Sequence, residues 1–144
     1  VFSLTHPDGW QLDTDPERID RDRVHHWLST DAYWALGRSR ETTERAFAGS
    51  IPYGVYRPED GGQVAVARVV TDRATFGWLC DLYVAPQARG RGLGTWLAGS
   101  IRDHLAGYGV RRIALATADA HGVYAKLGFT PAPPARWMEW VNER

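Results

Sequence analysis

The chain has one cysteine, one lysine and one methionine in 144 residues, and its formal net charge is zero. The lone Cys80 excludes an internal disulfide framework. It falls in an apolar strand pattern, where a thiol is more often a packed hydrophobe than a nucleophile. Zero net charge excludes an acidic tail and a broad nucleic-acid footprint. No apolar run is long enough to span a bilayer and no signal segment is visible. The expected compartment is therefore a reducing cytoplasm, with neither membrane nor nucleic acid as partner. Repeats, linkers and low-complexity runs are also missing, so one domain over 1–144 is expected. His25 and His26 are adjacent on a helical pattern and face different ways, a poor metal pair, and no metal is expected. The single lysine, Lys126, follows no glycine, which excludes the Gly-Lys-Ser/Thr phosphate loop. The dinucleotide fingerprint fails as well, because its third glycine would fall on Thr95.

What is present centres on 81–97. Phe76, Trp78, Cys80, Leu82 and Val84 alternate as on a strand with one buried face, which would put Asp81 on the other face. Pro86 ends that strand. Leu93, Trp96, Leu97, Ser100, Ile101 and Leu105 then recur at helical spacing, predicting a helix to about Ala106. Between them lies Arg89-Gly90-Arg91-Gly92-Leu93-Gly94. Glycines at a helix start leave its first amides uncovered, and these join the positive end of the helix dipole in an anion site. Two arginines in the same turn strengthen it. A phosphate or pyrophosphate is the natural ligand; a surface turn that merely caps the helix is the plain alternative.

The rest of the chain supplies the frame. A first strand is expected over Gly9–Thr14, a helix from about Asp20 and a second over Arg40–Ala48. Strands are expected over Ile51–Tyr56, Val64–Val70, Phe76–Val84, Arg112–Ala116 and Trp137–Val141, with a short helix within Ala118–Leu127. The strands Ile51–Tyr56, Val64–Val70 and Phe76–Val84 read as an antiparallel meander, and the helical crossover to Arg112–Ala116 favours a parallel pair. The class is α+β with a mixed sheet. Tyr33 and Trp34 sit in the link between the first two helices, where large aromatics either line a pocket or lid the core.

Arg89-x-x-Gly92-x-Gly94 after a Leu-Tyr-Val strand resembles the acyl-coenzyme A loop of the GNAT acetyltransferase superfamily. Tyr124-x-Lys126-x-Gly128-Phe129 resembles that superfamily's late Tyr-x-Lys-x-Gly-Phe segment. The resemblance implies a mostly antiparallel sheet that splays open after the fourth strand, beyond Leu82. It implies acetyl-coenzyme A as co-substrate, held by the backbone of Leu82, Tyr83 and Val84 and by Arg89, Gly90, Arg91, Gly92, Leu93, Gly94 and Thr95. It also places Tyr33 and Trp34 beside the acceptor. One departure stands out: Thr117–Tyr124 lacks the asparagine that many members carry ahead of the tyrosine.

The implied reaction moves an acetyl group directly to a primary amine on a small molecule or a protein. The amine must lose a proton, since an alkyl amine has a pKa of about 10. Asp81 is the first candidate base, against a structural carboxylate, and a water relay is the other route; Asp72, Asp119 and His121 are reserves, and Asp119 could simply cap the short helix. The leaving thiolate must gain a proton, a role for Tyr124, against a core tyrosine whose hydroxyl reaches the surface. A different acyl group, an O-linked acceptor, or a sensor that binds acyl-coenzyme A without turnover are the alternatives. The oligomeric state stays open between monomer and homodimer.

Overall fold

A computed structural model describes residues 1–143. Six strands form one sheet in the order β1-β2-β3-β4-β5-β6: β1 (Ser3–Thr5), β2 (Gln11–Asp13), β3 (Ile51–Tyr56), β4 (Gln63–Thr71), β5 (Phe76–Val84) and β6 (Arg112–Ala114). The first five pair antiparallel and β6 joins β5 in parallel. Four helices complete the fold: α1 (Arg21–Thr30), α2 (Arg40–Ala48), α3 (Leu93–Gly107) and α4 (His121–Ala125). Side chains that accept from amides three residues on start two of them, Asp20 for α1 and Ser39 for α2. The class is α+β with a mixed, mostly antiparallel sheet, as the sequence implies.

Each face of the sheet has its own core. One gathers Ala65, Ala67, Val69 and Leu79 against Leu93, Leu97, Ile101 and Leu105 of α3. The other gathers Val66, Tyr83 and Ala85 against Val24, Trp27 and Leu28 of α1. Leu79 and Tyr83 are four residues apart on β5 and should share a face under strict alternation, yet they enter opposite cores. The cause is a β-bulge. Arg68 pairs with Cys80 and Val66 with Tyr83, so β5 spends one residue more than β4 over this interval. Asp81 absorbs the extra residue with φ +53°, a left-handed conformation that few residues other than glycine and the Asn/Asp type accept.

The bulge corrects the expected single buried face. Gly77 and Leu79 lie towards α3 while Trp78 and Cys80 lie on the other face. After the bulge, Leu82 and Val84 pack towards α3. Asp81 therefore shares the face of Cys80 rather than opposing it.

Three more expectations are corrected. Residues 3–5 form a strand the pattern did not show, because β1 is only three residues long and is held by pairing with β2. The Phe76–Val84 strand, fourth by sequence count, is thus β5. Residues 137–141 form no strand: Pro131, Pro133 and Pro134 precede them, and Trp137 meets Phe76 through its ring instead. The Arg112–Ala116 strand shortens to Arg112–Ala114; the short helix lies at His121–Ala125, within the expected range, and Asp119 does not cap it.

β6 contacts β5 only from Phe76 to Trp78. Beyond Trp78 the two strands part, and the β6-facing side of Leu79–Val84 has no ladder partner among the described residues. This is the implied splay, and it begins slightly earlier than Leu82.

Candidate active site

β5 ends where the Ala85 amide donates to the Val64 carbonyl, and Pro86–Ala88 make a single tight turn. Gly90 and Gly92 follow with φ +78° and +77°, and a Cβ on either would meet nothing within 4 Å. The turn is thus open as well as left-handed. Gly92 is the N-cap of α3 and has no side chain to accept from the helix. The first amide to bond back is Trp96, to the Gly92 carbonyl at 3.0 Å. The amides of Leu93, Gly94 and Thr95 therefore have no acceptor among the described residues, and they add to the dipole of a fifteen-residue helix.

The arginines are less uniform. Arg89 donates to the Val84 carbonyl at 2.9 Å and to Asp31 Oδ2 at 3.3 Å, and lies 5.3 Å from the Tyr83 ring centre. Arg91 stays exposed over Trp10. The Leu93 side chain is buried, which anchors the turn while its amide remains at the helix mouth. The Tyr83 side chain points away from the splay: its ring stacks on Trp27, and its hydroxyl donates to Asp31 at 2.5 Å. Burial and that carboxylate push its pKa up to about 12. Only the backbone of Tyr83 is available on the splayed side.

Where β5 and β6 part, a cleft of about 440 Å³ opens. Gly94 is among its lining residues, so the cleft reaches the first turn of α3 beside the glycine turn. Leu82, Leu115, Ala116 and Tyr124 line it together with Tyr33, Trp34, Trp78 and Cys80. The Tyr33 hydroxyl accepts from the Ala118 amide at 2.8 Å, tying the α1–α2 link to the β6–α4 loop. Tyr124 is half-buried, its ring edge-on to Phe129, and its hydroxyl has no protein partner among the described residues. Burial, then the neighbouring Tyr33 and Asp119, push its pKa up, so the hydroxyl keeps its proton at neutral pH. The Cys80 thiol is likewise raised by burial, and its Sγ sits 3.6 Å from the Trp78 carbonyl. That is a protonated thiol, not an activated nucleophile.

Asp81 meets three donors. Trp34 Nε1 donates to Oδ1 at 2.8 Å; Arg38 Nη1 and Arg68 Nε both donate to Oδ2, at 2.8 and 2.6 Å. Its side chain is 2% exposed. Burial alone would raise its pKa, but the two guanidinium groups outweigh that and hold it below the usual carboxylate range. A base needs a free lone pair and affinity for a proton, and Asp81 is poor in both. The geometry favours the structural reading of this carboxylate. Among the reserves, Asp72 serves the turn before β5, accepting from the amides of Ala74, Thr75 and Phe76, and is not a cleft residue. His121 is exposed outside the cleft, while Asp119 lines it without an ion pair.

Sequence reasoning missed Arg38 and Arg68. Arg68 did carry a signal: a charge inside the nearly continuous apolar run of β4 has to find a buried partner. Arg38 carried none beyond its place after Gly37.

The model of the acetyltransferase (GNAT) family matches residues 21–129. The chain belongs to that family. A Gibberella zeae protein bearing the name "Putative acetyltransferase FG08082" is 29% identical over 149 residues, covering 88% of this chain and 84% of that one. The crystal structure of a GNAT-family protein from Xanthomonas campestris pv. campestris (xcc2953) superposes with a TM-score of 0.85 at 40% identity, over 92% of this chain and 93% of that one. N-acetylglutamate synthase from Neisseria gonorrhoeae, complexed with coenzyme A and N-acetyl-glutamate, shares the fold. It has a TM-score of 0.71 and 23% identity over 89% of this chain and 30% of that one. Among the described residues no helix is long and apolar enough to cross a membrane.

Proposed function

We propose that this chain is an N-acetyltransferase that moves an acetyl group from acetyl-coenzyme A directly to a primary amine. The observation that carries the reading is continuity. The uncovered amides of Leu93, Gly94 and Thr95 open, through Gly94, into the same cleft that holds the Tyr124 hydroxyl. A fit for the coenzyme is supported by those orphan amides, by the open space at Gly90 and Gly92, and by the unpaired edge of β5. When bound, the coenzyme supplies the acetyl group as a thioester.

In this reading the glycine-turn amides, with Arg91 and part of Arg89, hold the pyrophosphate. The backbone of Leu82, Tyr83 and Val84 bonds the pantetheine arm as a neighbouring strand would. A backbone N–H at Leu82, fixed towards the acyl oxygen, would contribute about 3 kcal/mol in the transition state. The amine nitrogen bonds to the acetyl carbon as the carbon–sulfur bond breaks. Tyr124 gives its hydroxyl proton to the sulfur and recovers one from water. The amine's own proton leaves through water in the cleft, because the Asp81 carboxylate already takes three donors, two of them charged.

The test is thiol release from acetyl-coenzyme A in the presence of a mixed panel of primary amines, with acetylated product confirmed by mass. Coenzyme binding without thiol release for any amine would identify a sensor instead of an enzyme.

A further inference from the structure

The Arg38–Asp81–Arg68 cluster has an excess of positive charge at the wall of the cleft. Two guanidinium groups meet a single carboxylate oxygen, so among the described residues one cation of the two has no countercharge. Both are mostly sheltered, at 18% and 14% side-chain exposure. Sheltered charges are ordinarily paired. Arg68 Nη1 goes to Ser50 Oγ at 3.2 Å, which is neutral. Arg38 Nε and Nη2 and Arg68 Nη2 have no protein acceptor among the described residues. Asp119, the other carboxylate of the cleft, forms an ion pair with neither arginine. Asp81 fixes both guanidinium planes by bonding each on one side only, which leaves forked donors for a second anion.

We propose that the acceptor of this enzyme is an amino carboxylate, an amine whose carboxyl group docks on Arg38 and Arg68. The pair then sets specificity rather than chemistry. The aromatic rings of Trp34 and Trp78, 42% and 36% exposed beside it, supply a flat apolar wall for the body of such a molecule. This inference rests on the acetyltransferase reading above. Its test is therefore equilibrium binding, not turnover.

Calorimetric titration into the protein saturated with coenzyme A would use the protein amino acids. Each one that binds is then compared with its methyl ester and its decarboxylated amine. The acid should bind about tenfold more tightly or better than either neutral-ended partner, the worth of one or two charge-assisted hydrogen bonds. An ester or amine that binds as well as its acid overturns the proposal, and so does a set in which no amino acid binds. Arg38→Gln should erase most of the preference for the acid while leaving coenzyme affinity unchanged; a folded variant with the preference intact overturns the assignment to this pair. If that variant does not fold, the acid–ester comparison in the native protein decides alone. A protein that binds the acid but transfers no acetyl group keeps this inference and removes the enzyme reading. Transfer to amine and amino acid alike does the reverse.

Discussion

Asn in place of Asp81 separates the two roles this carboxylate could have. The backbone is the first consideration. Asp81 sits at φ +53°, and asparagine tolerates that conformation as well as aspartate does, so Asp81→Asn adds little strain. The side chain keeps its shape and loses its charge and one acceptor. With the amide oxygen turned to Arg38 and Arg68, its NH₂ faces the Trp34 N–H; with the oxygen turned to Trp34, the NH₂ faces both arginines. Either way a donor meets a donor. Removing one member of a buried ion pair costs about 3–5 kcal/mol, and here two arginines are left behind. At this chain length that corresponds to a fall in Tm of roughly 10–20 °C.

The assay is thermal unfolding beside the pH profile of kcat/KM. A structural Asp81 predicts early melting with the acidic limb of the profile intact. An unchanged Tm, with kcat/KM collapsed and the limb gone, would refute the reasoning and make Asp81 the base. Acid also checks the sign. The pKa of Asp81 is lowered on folding, so its stabilisation is complete above the unfolded aspartate value of about 3.9 and fades as pH falls through the lower folded value. The melting temperatures of wild type and Asp81→Asn should converge only in that acidic range.

Two further outcomes bear on the coenzyme and the acid. Gly94→Glu puts a carboxylate beside the helix amides, where its Cβ makes only ordinary contact with Val84, 3.6 Å away. Calorimetry should find coenzyme A binding lost while circular dichroism stays native; undiminished affinity would remove the phosphate assignment. Tyr124→Phe deletes a hydroxyl that has no protein partner, so Tm should barely move, while kcat falls by up to about a hundredfold, the low end of general-acid effects. Full activity would mean that water protonates the thiolate.

The elements with long local patterns were legible in the sequence. Arg40–Ala48, Ile51–Tyr56 and Phe76–Val84 start and stop where capping residues and alternation say they should. The glycine turn was legible because its chemistry is local: two glycines before a helix and one in its first turn leave amides open wherever the helix goes. The bulge was not, since a left-handed aspartate leaves no mark on hydrophobic period and is set by the pairing of β4 with β5. The Arg38–Asp81–Arg68 cluster was hidden for the same reason, Arg68 and Arg38 being 13 and 43 residues from Asp81 along the chain. Trp137–Val141 shows the opposite failure. Its apolar and aromatic composition is local, but a strand is made by pairing, and these residues pair with no strand among the described residues.

The extra residue at position 81 separates chain length from side-chain orientation. A regular β5 of the same length would put Tyr83 on the α3 face with Leu79, and Leu82 and Val84 on the other. The bulge cancels that shift, so removing Asp81 would leave Leu82 and Val84 towards α3 and Tyr83 on Trp27. What the deletion takes away is the carboxylate between Arg38 and Arg68. Among natural relatives of this chain, a one-residue gap at position 81 should therefore coincide with replacement of Arg38 or Arg68, while the residues from Leu82 to the glycine turn keep their pattern.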